Sequence, residues 1–166
     1  MSSSSFNGCV FVLGLAAGPA FGAPRTGELE VREGKTGVPC FTISQAEERR
    51  GGAPDFQSIS VAEAGVGARS VVWSMAMPKA RTFAVSFRMC IPYAGRLPVL
   101  PQTPAAALQP GRLYEVTIET RPPRAAGAAG HYRARFCLVR EGQGELKVQS
   151  IGAGGLDAKA RAACGA

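Results

Sequence analysis

"LYEVTIET", residues 113–120, decides the fold. Tyr114, Val116 and Ile118 recur every second residue, with Glu115, Thr117 and Glu119 between them. A two-residue period puts the apolar set on one side of an extended chain and the polar set on the other. This is the pattern of a strand with one buried face.

The same period recurs on both sides of it. "HYRARFCLVR" (131–140) places Tyr132, Ala134, Phe136 and Leu138 inward, and Arg133, Arg135 and Cys137 outward. "TFAVSFRMCI" (82–91) alternates Phe83, Val85, Phe87, Met89 and Ile91 against Thr82, Ala84, Ser86, Arg88 and Cys90. "SVVWSMAM" (70–77) puts Val71, Trp73, Met75 and Met77 on one face. Shorter candidates lie at 28–33, 39–44, 57–63 and 145–151. Helical periodicity is absent from the body of the chain. About eight short strands separated by Gly and Pro turns predict an all-β domain. The expected architecture is an antiparallel β-sandwich, immunoglobulin-like in its simplest form, with a closed barrel as the alternative.

Between the strands, residues 92–112 are rich in proline and unsuited to a central strand. Residues 121–130 read as a long hairpin loop between two strong strands. The small, polar stretch 152–166 reads as a disordered C-terminal tail carrying Cys164.

The N-terminus sets the compartment. Residues 9–22, "CVFVLGLAAGPAFG", are apolar and uncharged. A membrane-spanning helix needs roughly 20 such residues, so this run is short for a span. Ala20 and Gly22 are small residues at the −3 and −1 positions of a cut after Gly22, the mark of a secretory signal peptide. The segment departs from that pattern in having no Lys or Arg before the apolar run. The expected organisation is a signal peptide over 1–22, a β-domain over 23–151 and a tail over 152–166. A lipoprotein signal would place a cysteine after the apolar run, whereas Cys9 precedes it, so a lipid anchor is not expected. The expectation is a periplasmic or otherwise extracytoplasmic protein, free of the membrane after cleavage, with no later membrane span.

Net charge is +7, with fifteen Arg to four Lys. The basic residues are scattered, with Arg49–Arg50 the one adjacent pair, which argues against nucleic acid and leaves an acidic protein partner open. No pair of cysteines has C-x-x-C spacing, and His131 is the one histidine, so neither a metal site nor a cofactor is expected. A Cys–His enzyme would need Cys137 and His131, but alternation turns Cys137 outward. The acidic residues, such as Glu47–Glu48, read as solvated charges. No P-loop or G-x-G-x-x-G in a strand-to-helix context is present. The chain therefore reads as a non-enzyme. Cys40, Cys90, Cys137 and Cys164 follow the proposed cut, and an exported chain keeps disulfides. Four cysteines allow three pairings, and Cys40–Cys90, Cys90–Cys137 and Cys137–Cys164 all stay open.

One ordered series of segments carries a resemblance: "VPCFTI" (38–43), "ISVAEAG" (59–65), "VVWSMA" (71–76), "CIPYAG" (90–95), "LQPGRLYEVTIE" (108–119) and "YRARFCL" (132–138). It resembles a family of bacterial extracytoplasmic proteins, many of them lipoproteins, described as type VI secretion immunity proteins. The resemblance runs from about residue 28 to 151, and its most specific pieces are "CIPYAG" and the G-x-x-Y-x-V of "GRLYEV". It implies a disulfide between Cys40 and Cys90, with Cys137 and Cys164 as additional thiols. It also implies neutralisation of a delivered toxin by occlusion. A basic binder suits an acidic toxin, and Tyr93, Arg96, Arg133 and Arg135 are the candidate contacts. Taken singly, Arg133 and Arg135 also fit a plain solvated strand face. The alternative function is a structural or envelope-assembly protein with no toxin partner.

Overall fold

In the computed structural model, residues 25–34, 37–64, 70–95, 100–122, 127–142, 144–151 and 162–165 are described. The proposed signal peptide therefore lies outside the described residues. Eight strands and one helix follow in the order β1 (Thr26–Glu33), β2 (Pro39–Ile43), α1 (Gln45–Gly51), β3 (Phe56–Glu63), β4 (Val71–Ala76), β5 (Ile91–Pro92), β6 (Tyr114–Thr120), β7 (His131–Glu141) and β8 (Glu145–Ile151).

The protein is all-β in character, but the expected antiparallel sandwich is corrected. A single mixed sheet runs β4-β3-β6-β7-β1-β2-β5, with β8 on the far half of β7. Its mixed character comes from β1, whose start pairs parallel with β7 while its remainder pairs antiparallel with β2. The sheet also curls. Bulges interrupt β3 at Val61/Ala62 and Phe56/Ser58, and a bulge bends its strand and increases local twist. The β2–β5 end folds over the inner face of β4, β3, β6 and β7, and one core results. Phe41 of β2 lies 5.5 Å from Phe136 of β7, and Tyr93 beyond β5 lies 5.4 Å from Trp73 of β4, centroid to centroid.

The two-residue period accounts for the inner face directly. Register brings Met75, Ile59, Ile118 and Tyr132 into one row across four strands, and Trp73, Val61, Val116 and Ala134 into the next. All eight are buried. The opposite face carries Ser74, Ser60, Thr117 and Arg133 in a row. At the β1–β7 contact, Gly27 lies so close under the Tyr132 ring that a Cβ there would sit 2.3 Å from it. The parallel pairing thus requires glycine at that position.

Two expectations change. Residues 82–91 do not form a strand. Ala84 makes one bridge to Asp55, residues 86–89 close a turn, and only Ile91–Pro92 pair as β5. The backbone hydrogen bonds of this stretch go to loop partners, as in Phe56 N–H to Phe83 O and Val85 N–H to Pro54 O. Val85 and Ile91 are still buried. The alternation reported which side chains enter the core, not where the backbone bonds. The second change is α1, which has no counterpart among the expected elements. Ser44 caps it by accepting from Glu47 N–H. The S-x-x-E pattern over 44–47 was the available signal.

The proline-rich stretch has a definite place. Pro101 O accepts from Ala76, Thr103 N–H donates to Ser74 O, and Ala106 N–H donates to Val72 O, each at 2.9 Å. It runs along the free edge of β4 and takes up that edge's hydrogen-bonding groups. Pro101 and Pro104 have no N–H and so cannot extend a regular ladder. The edge is nevertheless covered, which removes a template for pairing with other chains.

Candidate functional site: a basic end and its groove

Helix α1, the loop 78–89 and the described ends of the β6–β7 loop meet at one end of the molecule. Gly51 at the helix C-terminus packs on Ala128, where an added Cβ would lie 2.6 Å from the Ala128 backbone. Arg25 ties the helix to the β6–β7 loop. Its guanidinium donates to Glu47 Oε1 at 2.9 Å, to Glu47 Oε2 at 2.5 Å and to Gly127 O at 2.8 Å. Arg50 adds a bond to Glu47 Oε1 at 3.0 Å. Glu47 is 5 % exposed, so its reading as a solvated charge is corrected. The Arg25 bond holds the Glu47 carboxyl below the usual carboxylate range, against the opposing effect of burial.

A groove of about 570 Å³ opens here between Gly51, Asp55, Thr82, Thr120, Arg121 and Ala128. Asp55 is engaged on several sides. Its Oδ1 accepts from Phe83 N–H, its backbone O accepts from Arg121 N–H, and the Arg121 side chain pairs with Oδ2 at 3.6 Å. Arg121 also donates to the carbonyls of Pro78 and Arg81, fixing the cationic loop against β6. Glu48 accepts from Phe87 N–H. Arg49, Lys79, Arg81 and Arg88 are exposed around this end and stand in no ion pair among the described residues. The carboxylates that would neutralise them are already bonded, so this end keeps positive charge. Sequence order hid the cluster, because Arg49 and Arg88 lie 39 residues apart.

The expected contact residues fare differently. Tyr93 is 8 % exposed and cannot meet a partner as placed. Its ring packs on Trp73, and its hydroxyl donates to Ala106 O at 2.6 Å. Burial pushes its pKa up to about 12. The "IPYAG" turn carries it inward because the sheet's two ends meet there. Arg96 lies outside the described residues. Arg133 and Arg135 stand on the outer face of β7, as the alternation requires. Arg135 pairs with Glu115 at 3.4 Å, while Arg133 Nε is buried with no hydrogen-bond partner. His131 shares a 2.6 Å hydrogen bond with Thr26 Oγ1.

The cysteines are brought together as Cys40–Cys90 and Cys137–Cys164. Cys137 and Cys164 are thus bonded to each other and are not free thiols. Cys164, expected in a loose tail, is 3 % exposed and packs with Cys137 and Leu113 in a second small core. Cys137 does point away from the main core, but this second core covers it. Residues 152–161 of the expected tail lie outside the described residues. Among the described residues, no group of three or more His, Cys, Asp or Glu could hold a metal ion. No helix among them is long and apolar enough to cross a membrane. Comparison with family models, with curated proteins and with solved structures finds no match.

Proposed function

We propose that this chain is a non-enzymatic exported binding protein that uses its basic end to cover an acidic surface of a protein toxin. The role is that of a periplasmic immunity protein. The observation that carries the reading is the set of exposed cations Arg49, Lys79, Arg81 and Arg88 on the helix and loop that flank a groove whose one carboxylate, Asp55, is already bonded. Occlusion needs a rigid scaffold and a few anchors, and it needs no catalytic group. The Glu47–Arg25 clamp and two disulfides supply rigidity. Excess positive charge at one end speeds encounter with an acidic partner. Disulfides fit an oxidising compartment, which supports export.

The test is co-expression of the exported chain with products of adjacent genes, followed by capture and a toxicity assay. An acidic partner that co-purifies and loses toxicity supports the reading. Charge reversal at Arg49 and Arg81 together should then weaken binding by about tenfold or more, mostly through slower and less salt-sensitive association. The same change at Arg133 and Arg135 should have a smaller effect. Unchanged affinity in the Arg49/Arg81 variant removes the basic end from the interface. A folded, exported chain that captures nothing favours an envelope-assembly role.

A further inference from the structure

The gap between β4 and the β5 region holds an apolar cavity of about 300 Å³. Met75, Met77 and Met89 line it with Phe56, Phe83 and Leu100. Of the four methionines in the chain, all three among the described residues line this cavity. Two sequence-distant segments converge to make that happen. Met75 is the last residue but one of β4 and Met77 follows just beyond the strand at strand spacing, which keeps both side chains on one face. Met89 arrives from the turn before Cys90, and the Cys40–Cys90 disulfide holds that turn against β2.

Methionine is also a good filler of irregular cores. Filling would leave no cavity, whereas here the three methionines line one. Three neutral, soft sulfur donors in an apolar shell are the ligand type that selects monovalent copper over zinc, calcium or magnesium. The rings of Phe56 and Phe83, stacked edge to face 6.1 Å apart, close the apolar shell around a weakly hydrated cation. No carboxylate or imidazole lines the cavity, so a hard divalent ion would find no oxygen or nitrogen side-chain ligand there.

We propose that the Met75, Met77 and Met89 thioethers form a binding site for a soft monovalent cation, Cu(I). A thioether carries no proton to lose. Binding therefore releases no proton from its ligands, and affinity stays flat between pH 5 and pH 8, unlike a thiolate or imidazole site. The site does not depend on the partner-binding reading.

The experiment titrates the disulfide-bonded chain, with Cys9 blocked by N-ethylmaleimide, using Ag(I) as a redox-inert probe. Cu(I) follows under argon against a chromophoric chelator, without thiol reductants that would open the disulfides. With 13C-methyl methionine labelling, one equivalent should shift the methyl signals of Met75, Met77 and Met89. The triple variant M75L/M77L/M89L keeps side-chain volume and should lose at least 100-fold in affinity with its melting transition retained. M89L alone should lose about tenfold. Binding that survives in a folded triple variant overturns the proposal, as does affinity that rises steeply with pH. Absence of any methyl shift at one equivalent overturns it too. If the triple variant fails to fold, the methyl shifts and the pH profile of the unmodified chain decide.

Discussion

Glu47 shows how one residue can tie loops to a helix. Its carboxyl is buried and bonded by two arginines. The folded-state pKa lies below the ordinary carboxylate value of 4.5, with the Arg25 hydrogen bond the leading cause. A depressed pKa contributes stability that is complete above the unfolded value and is lost as pH falls through the folded one. Denaturation midpoints should therefore decline as pH drops below about 4.5. Glu47→Gln should lower stability by about 2 kcal/mol at neutral pH and flatten that acid limb, because the charged half of the pair is gone. Urea melts between pH 3 and pH 7 check both points. Tyr93 makes the opposite case. Its hydroxyl is most stable protonated, so the stability tied to it is full below pH 10 and lost as pH rises towards about 12. Ultraviolet titration should show late-ionising tyrosines, Tyr93 and Tyr132, both raised by burial, and Tyr93→Phe should remove one of them at a stability loss of about 1 kcal/mol.

At the scale of elements, α1 is short and owes its place to its ends. Ser44 caps it, Glu47 and Glu48 occupy the first turn, and Arg49 and Arg50 the last. Each charge complements the helix dipole. Ser44→Ala should cost about 1 kcal/mol in thermal or urea unfolding. The helix is too short to show a period, which is why hydrophobic alternation missed it while the capping pattern held the signal. Residues 82–91 show the reverse failure. Alternation was real there and marked buried Val85 and Ile91, but a strand also needs a neighbouring edge of matching length. Residues 83–85 meet only the short stretch Pro54–Phe56, and Ile91 meets β2. The Pro-rich 101–106 stretch was correctly excluded as a central strand, yet its role as cover for the β4 edge depends on where β4 ends up.

For the whole molecule, the two disulfides close different loops. Cys40–Cys90 spans 50 residues and pins the turn bearing Met89 to β2. Cys137–Cys164 spans 27 and holds the C-terminal segment on β7. Loop-closure entropy assigns them about 4 and about 3.5 kcal/mol respectively. Replacing Cys137 and Cys164 by serine should lower the urea midpoint and expose residues near 162–165 to proteolysis, with the main sheet kept. Replacing Cys40 and Cys90 should cost slightly more and loosen the loop 82–90, read by hydrogen exchange. A Cys137/Cys164 variant as stable as the parent would show that the second core contributes little.

The sequence by itself determined most of the strand content and the inward sets of β6 and β7; on β4 it placed Trp73 and Met75 inward but also Val71, which is 56 % exposed. That information is local, because side chains in an extended chain alternate whatever lies beside them. It also marked Arg133 and Arg135 as outward and the 121–130 stretch as a hairpin loop. Tertiary structure alone decided the parallel β1–β7 pairing, the curl that draws Tyr93 inside and the bond between Cys137 and Cys164. It alone gathered Arg49, Lys79, Arg81 and Arg88 at one end and three methionines around one cavity. Those outcomes depend on which distant segments meet, and meeting is set by the packing of the whole core, which no local period encodes.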